Sequence, residues 1–330
     1  MNAQKKRLQL LSVLLLLLMV GLYFSMTKGS VETSFANLLD FLIHSDQTHA
    51  KIFIQLRLAR ALLAFLVGAS LSLSGAILQG YFQNPMAGPF VVGVSSGASF
   101  GAVLALFLGF NFSFLGFSLQ SVFAFGSGFA IVSLVYLLSQ KKGIFKVETL
   151  LLTGIAAGAL ASSLTSFLIF FKSESFEQAV FWLLGSFQLA EWSQIRVVFF
   201  YLILSFFLSQ WYAKDMNLLI LGDETAQSLG CSVNRVRKIF LAVSTLLAAS
   251  SVSVSGIIGF VGLIVPHWTR MLIGPDHRYL FVYSSLSGGI FLMFCDLLAR
   301  TSLPGSELPI GIITAIVGAP FFIYLLNKQR

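Results

Sequence analysis

Charge is what this sequence most lacks. Only 10% of its 330 residues are Asp, Glu, Lys or Arg, against about 25% in an ordinary soluble domain. A surface built from so few charges cannot be mostly hydrated, which excludes a cytosolic globule and a disordered chain. Cysteine is scarce too. Cys231 and Cys295 sit in unlike contexts, which excludes a disulfide scaffold and matches no CxxC or Cys/His metal spacing. No G-x-x-x-x-G-K-[ST] phosphate loop occurs, so the chain is not expected to hydrolyse ATP. What is abundant is apolar: 57% hydrophobic residues, 34 Phe and a mean hydropathy of +0.88. These define an integral membrane protein.

The formal charge of +8 would suggest nucleic-acid binding in a soluble protein. Here the basic residues are spread over short loops with no aromatic–basic stacking platform, and the positive-inside bias of membrane proteins explains them better.

A helix needs about 20 mainly apolar residues to cross a bilayer core of ~30 Å. The runs that qualify are Leu8–Met26, Ala61–Phe82, Val91–Gly109, Leu119–Leu138, Thr149–Phe170, Ile195–Tyr212, Ile239–Ser255, Leu280–Leu298 and Ile310–Leu326. Gly259–Ile273, which contains Pro266 and His267, is a shorter eighth span, giving ten in all. The first run follows Lys5, Lys6 and Arg7 but precedes no small-x-small cleavage site, so it reads as an uncleaved span. With both termini cytoplasmic, 14 of the 21 basic residues fall inside and 7 outside. That two-to-one ratio supports this topology and the even span count.

Small residues recur within the spans. Gly93, Gly97 and Gly101 are spaced by four, as are Gly154 and Gly158, the spacing that lets helix backbones approach closely in lipid. Ser70, Ser72, Ser74, Ser162, Ser163, Thr165 and Ser166 add hydroxyls. They imply either a tightly packed bundle or a polar translocation path. Gly93-Val94-Ser95-Ser96-Gly97 matches the G-x-S-x-G nucleophile elbow, but it opens a glycine-rich span rather than a strand-turn-helix, so packing is the expected role. Asn111-Phe112-Ser113 is a formal glycosylation sequon in a chain with no other sign of a eukaryotic secretory context.

Two connections are more charged than connectors need to be. Lys214–Lys238 is long for a loop between spans, and its mixed apolar and polar content suggests docking. Within it Asp223 and Glu224 open a short helical stretch, Glu224–Leu229, that Gly230 ends. On the outer side Arg57, Arg60 and Arg300 flank spans, as carboxylate receptors or as snorkelling anchors.

One set of motifs carries a resemblance. It comprises Gly259–His267 with Arg270, Asp276-His277-Arg278, Asp296–Arg300, Glu307–Gly311 and Gly318–Phe321. Arg57-Leu58-Ala59-Arg60, Gly75-Ala76 with Gln79, Asn84-Pro85 and Leu221–Glu224 complete it. In this order and spacing the chain resembles the membrane permeases of ABC importers for iron-siderophores, haem and vitamin B12. The resemblance implies an all-α, type II importer permease fold, with residues 1–330 as a single transmembrane domain of about ten helices. It also implies a bacterial inner-membrane location, a second permease subunit (in a homodimer or a close heterodimer), two cytoplasmic ATP-binding subunits and an extracytoplasmic binding protein. No catalytic residue, metal or cofactor is expected in the chain itself, because ATP is used by the partner.

Residue by residue, the resemblance assigns ATPase coupling to Leu221, Gly222, Asp223, Glu224, Ala226, Leu229 and Gly230. Binding-protein docking falls to Arg57, Arg60 and Arg300, and cytoplasmic gates to Asn84 and Met86, with a further gate near Val147 and Glu148. Two departures stand out: Ala59 replaces a common proline, and Val147-Glu148 replaces small polar residues. The implied cargo is a ferric siderophore, with haem or vitamin B12 as alternatives. The rival classes are an ion-coupled carrier, which lacks the expected cluster of intramembrane Asp or Glu, and an intramembrane enzyme centred on His267, which lacks partners at triad or metal spacing.

Overall fold

The computed structural model describes residues 3–28, 51–109, 113–114, 117–141, 144–145, 147–172, 176–303 and 305–328. Asn111 and Phe112 of the sequon, Lys142, Lys146 and Arg330 lie outside the described residues, as does the side chain of Val147. The spans are α1 (Ala3–Thr27), α2 (Ala59–Tyr81), α3 (Val94–Leu108), α4 (Leu119–Ser139) and α5 (Val147–Phe171). The chain continues through α6 (Phe176–Leu184), α7 (Trp192–Trp211), α8 (Ala213–Leu219), α9 (Asp223–Ser228) and α10 (Val233–Ser255). It closes with α11 (Val261–Ile273), α12 (His277–Thr301) and α13 (Ile310–Lys328). A π-helical segment, Lys51–Leu58, leads into α2. Two antiparallel pairs of two-residue strands, Ser113–Phe114 with Phe117–Ser118 and Gln140–Lys141 with Ile144–Phe145, flank α4.

Seven of these helices are long and apolar enough to cross a membrane, and three shorter apolar helices lie within α3, α11 and α13. Together they account for the ten expected spans. The eighth is short for a physical reason. The chain runs in irregular backbone from Gly256 to Phe260, where Phe260 takes a left-handed φ of 68°, and only then starts α11, which carries Pro266 in its interior.

Helix α2 forms the axis of the bundle. Leu63, Leu71, Leu73, Ile77 and Leu78 along it are fully buried, and α12, α10, α11 and α7 surround it. Lipid offers little hydrophobic drive for one helix to pack on another, so close backbone contact must supply it. A methyl group at Gly75 would stand 1.7 Å from the Gly262 carbonyl oxygen, and one at Gly68 would stand 2.3 Å from that of Gly288. Of the glycines singled out by spacing, Gly101 is the tightest, where a methyl would meet the Phe123 carbonyl on α4 at 2.2 Å, while one at Gly158 would find only ordinary contact at 3.4 Å.

The hydroxyls divide into two sets. Ser70, Ser72 and Ser74 are fully buried in α2, and Ser74 donates to the Ser244 carbonyl at 2.9 Å, so these belong to packing. Ser162, Ser163 and Ser166 are exposed on α5, most of whose apolar surface is also exposed. Only this second set is available to a path.

The α2 seam generates a direct test. Gly75→Val should destabilise the purified protein by at least the ~1–3 kcal/mol typical of overpacking. Gly126→Ala, on α4 with nothing within 4 Å, should be neutral or stabilising because it removes a helical glycine. Thermal unfolding in one detergent compares them, and equal midpoints for Gly75→Val and the parent would disprove the seam.

Candidate functional site

The functional residues collect at the two ends of the bundle. At one end lie the start of α1, the end of α2, the starts of α10 and α12, and the short helices α8 and α9. Arg7 stacks on the Tyr279 ring at 3.6 Å, and its carbonyl accepts from the Tyr283 hydroxyl. The segment read as a docking loop is folded into the short helices α8 and α9 and the first turn of α10. After α8, Gly222 opens α9 with φ 101°, and Gly230 closes it in the left-handed region with φ 86°, a conformation that favours glycine.

Within α9 only Ala226 is buried, and Cys231 just after it donates its N–H to the Ala226 carbonyl. Asp223, Glu224 and Gly230 face solvent, while Leu221 and Leu229 are 61% and 59% exposed. Two exposed leucines flanking an acidic helix start form an unpartnered surface. The helix is fixed from behind, since Arg237, buried at the start of α10, pairs with Asp223 at 2.7 Å. Burial and then the Asp215 carboxylate push the Cys231 thiol up, which keeps it inert. Neither cysteine is bonded.

A polar knot that the sequence reading missed anchors α8 to α12. Asn217 accepts from the His277 backbone at 3.0 Å, lies 2.9 Å from His277 Nδ1, and donates to Asp276 at 2.8 Å. Asp276 also caps α12 through the Arg278 N–H. Hydrogen bonds from the Arg278 side chain hold the Asp276 carboxyl well below the usual carboxylate range. Its stabilisation is therefore fully present above the ordinary carboxylate pKa and is lost progressively as the pH falls below that value toward the lowered one. The adjoining motif Asp276-His277-Arg278 was the available signal, but its partner Asn217 is 60 residues away.

Asn84 and Met86 lie in the turn after α2. Asn84 is exposed, and its side chain accepts from the Met86 N–H at 2.9 Å, while Gln83, at φ 50°, donates to the Leu219 carbonyl of α8. Glu148 is exposed in the first turn of α5, where its charge suits the helix dipole. The positions expected to act as gates thus stand in the turn after α2 and at the start of α5, and the α2 turn is tied to α8 just ahead of α9.

The opposite end holds the arginines. They are not loose anchors. Arg60 makes a forked contact with Asp296, with Nε at 2.9 Å and Nη2 at 2.8 Å from Oδ1, and its Nη1 donates to Glu307 at 2.8 Å. Arg300 is 5% exposed, donates to the Ser25 carbonyl at 3.1 Å and lies 3.7 Å from Asp296. Arg57 is buried and donates to the Met26 carbonyl at 2.5 Å. Two of the three arginines expected from the sequence, Arg60 and Arg300, converge on carboxylates of the same chain, Arg57 turns to a backbone carbonyl, and Arg60 is the most accessible of them. Charge-assisted forked pairs of this kind are strong and orienting.

An all-helical bundle with a short helix presented at one end and an arginine–carboxylate cluster at the other is the architecture of a multi-pass transport permease. The model of the FecCD transport family matches residues 16–328, and the chain belongs to that family. The cobalamin import system permease BtuC of Halobacterium salinarum is 43% identical over 275 residues, covering 83% of this chain and 73% of that protein. The hemin transport system permease HmuU of Yersinia pestis is 36% identical over 332 residues, covering 100% and 98%. A solved structure described as an inward-facing conformation of a metal-chelate type ABC transporter superposes with a TM-score of 0.86 at 35% identity, covering 97% of this chain and 99% of that one. The chain is accordingly a multi-pass inner-membrane permease subunit of the ABC importer type, a class that works with another permease subunit and ATPases.

The arginine cluster predicts an asymmetry. Asp296, 2% exposed, serves two arginines, whereas Glu307, 20% exposed, serves one. Asp296→Asn should cost about 3–5 kcal/mol, as expected when one partner of a buried pair is removed, and Glu307→Gln about 1 kcal/mol or less. Thermal unfolding reads both; equal losses would mean the cluster is not centred on Asp296.

Proposed function

We propose that this chain forms one half of a homodimeric pathway that carries a ferric siderophore inward, driven by the ATP cycle of two cytoplasmic subunits. The observation that carries the reading is α9: a helix pinned through Asp223 whose surface, with Glu224 and the flanking Leu221 and Leu229, is exposed among the described residues. A soluble ATPase docked there would move α9, and through Asp223–Arg237 and the Asn217–His277 knot it would move α10 and α12.

The α9 end also carries Lys5, Lys6, Arg7, Lys214, Arg235, Arg237, Lys238 and Arg278, so the positive-inside rule makes it cytoplasmic. Arg57, Arg60 and Arg300 then face outward. An acidic side chain of a binding protein would compete with Asp296 and Glu307 for Arg60, the most accessible of the three. Asn84, Met86, Val147 and Glu148 would gate the cytoplasmic exit. The exposed serines of α5 would line the path, where hydroxyls suit an oxygen-rich chelate.

Iron chelates recur in the names of relatives: the Fe(3+)-citrate permeases YfmD and YfmE and the iron(3+)-hydroxamate permease FhuG, all of Bacillus subtilis, are 33–36% identical to this chain. The cobalamin and hemin relatives keep vitamin B12 and haem as the second reading. An ion-coupled carrier is disfavoured, because Asp296 is tied to arginines and no cluster of three or more His, Cys, Asp or Glu occurs among the described residues.

Glu224→Lys should leave the protein inserted but abolish uptake and ATPase binding. Normal binding and uptake would rule α9 out as the coupling helix. Reversing Arg57 and Arg60 to Glu should cut binding-protein docking at least tenfold. Unchanged docking would make them structural anchors. Radiolabelled ferric siderophore, haem and cobalamin offered to the same vesicles decide the cargo.

A further inference from the structure

A groove of about 300 Å³ runs between α4 and α10 on the outside of the bundle, lined by Phe129, Val132, Tyr136, Leu137, Lys238 and Leu241 among others. Its α4 wall, residues 129, 132, 133, 136 and 137, is one helical stripe, and its α10 wall, residues 238, 241, 242 and 245, is another. The α4 wall covers about 12 Å at 1.5 Å per residue, close to the ~15 Å of one leaflet of a ~30 Å core. Both helices are of membrane-spanning length and apolarity, so bilayer faces this groove unless another subunit covers it.

The charge is confined to one end. Lys238 lines the groove mouth, and Arg235, one turn earlier on the same face of α10, is likewise exposed. Arg237 between them turns inward to Asp223, while neither Lys238 nor Arg235 has an ion-pair partner among the described residues. A lysine drawn up beside an apolar groove, with a second free cation beside it, is complementary to one amphiphile: an acyl chain below a net negative headgroup.

We propose that this groove is a binding site for an anionic phospholipid of the leaflet at the α9 end, its phosphate against Lys238 and Arg235 and one acyl chain between Phe129 and Leu137. A zwitterionic lipid fills the apolar part equally well, but the cation of its headgroup returns the positive charge that its phosphate neutralises. The site adjoins the coupling machinery. The headgroup sits one residue from Arg237, which holds α9, so bound lipid would stiffen the segment an ATPase pushes against. The proposal stands on the membrane-spanning helices and not on the identity of the cargo.

The test uses the assembled complex in vesicles with phosphatidylglycerol or phosphatidylcholine carrying a photoactivatable acyl chain. Phosphatidylglycerol should label residues 129–137 and 238–245 in preference to phosphatidylcholine. Lys238→Gln should reduce that labelling about fivefold, the worth of one cation near an anionic surface, and Lys238→Gln with Arg235→Gln should abolish the preference. Ala242→Trp, which fills the groove from an exposed position, should block labelling by either lipid. Equal labelling by the two lipids, no effect of Lys238→Gln, or cross-linking of this segment to a second copy of the chain with lipid excluded would each overturn the proposal.

Discussion

The close approach of α2 to α11 and α12 is the constraint on which the rest depends. At Gly75 and Gly68 no side chain stands between the backbones, and the partner carbonyls of Gly262 and Gly288 occupy the space a methyl would need. In a bilayer this contact replaces the hydrophobic drive that would assemble a soluble bundle. It places a fully buried helix at the centre, fixes the register of α12 against it, and so determines where the ends of both helices meet.

Those ends are where the chemistry sits. Because α2 and α12 run antiparallel, the start of one adjoins the end of the other. Arg60 at the start of α2 therefore faces Asp296 near the end of α12, and Gly80 near the end of α2 faces His277 at the start of α12. A push on α9 at one end and a partner's acid on Arg60 at the other would both act on this single pair of helices. No contiguous relay of switching side chains is required. A stiff pair anchored at each end by charged or polar contacts suffices.

Much of this was legible in the sequence. Apolar run length located all ten spans, most to within two or three residues, because a membrane helix must satisfy its own backbone over a fixed thickness. Pro266 and the glycines around it marked the short α11, and Gly222 and Gly230 bracketed α9 within a residue of its bounds. What was not legible depends on distance along the chain. Arg60 and Asp296 are 236 residues apart, so nothing local could reveal that Arg60 and Arg300 already share a carboxylate of the same chain. Likewise α8 went unread within Lys214–Lys238, because at seven residues it is too short to carry a period and has no bracketing glycines like those of α9. Burial alone divided the serines of α2 from those of α5; composition treats them alike.

The central claim is that this chain supplies the path and a separate subunit supplies the energy. The most direct measurement is uptake of ferric siderophore into vesicles containing the purified chain, with and without a cytoplasmic nucleotide-binding subunit, at fixed binding protein. Uptake that requires both that subunit and ATP hydrolysis is the predicted result. Uptake by the chain alone, driven by an ion gradient and indifferent to ATP, would contradict the account and make it a secondary carrier.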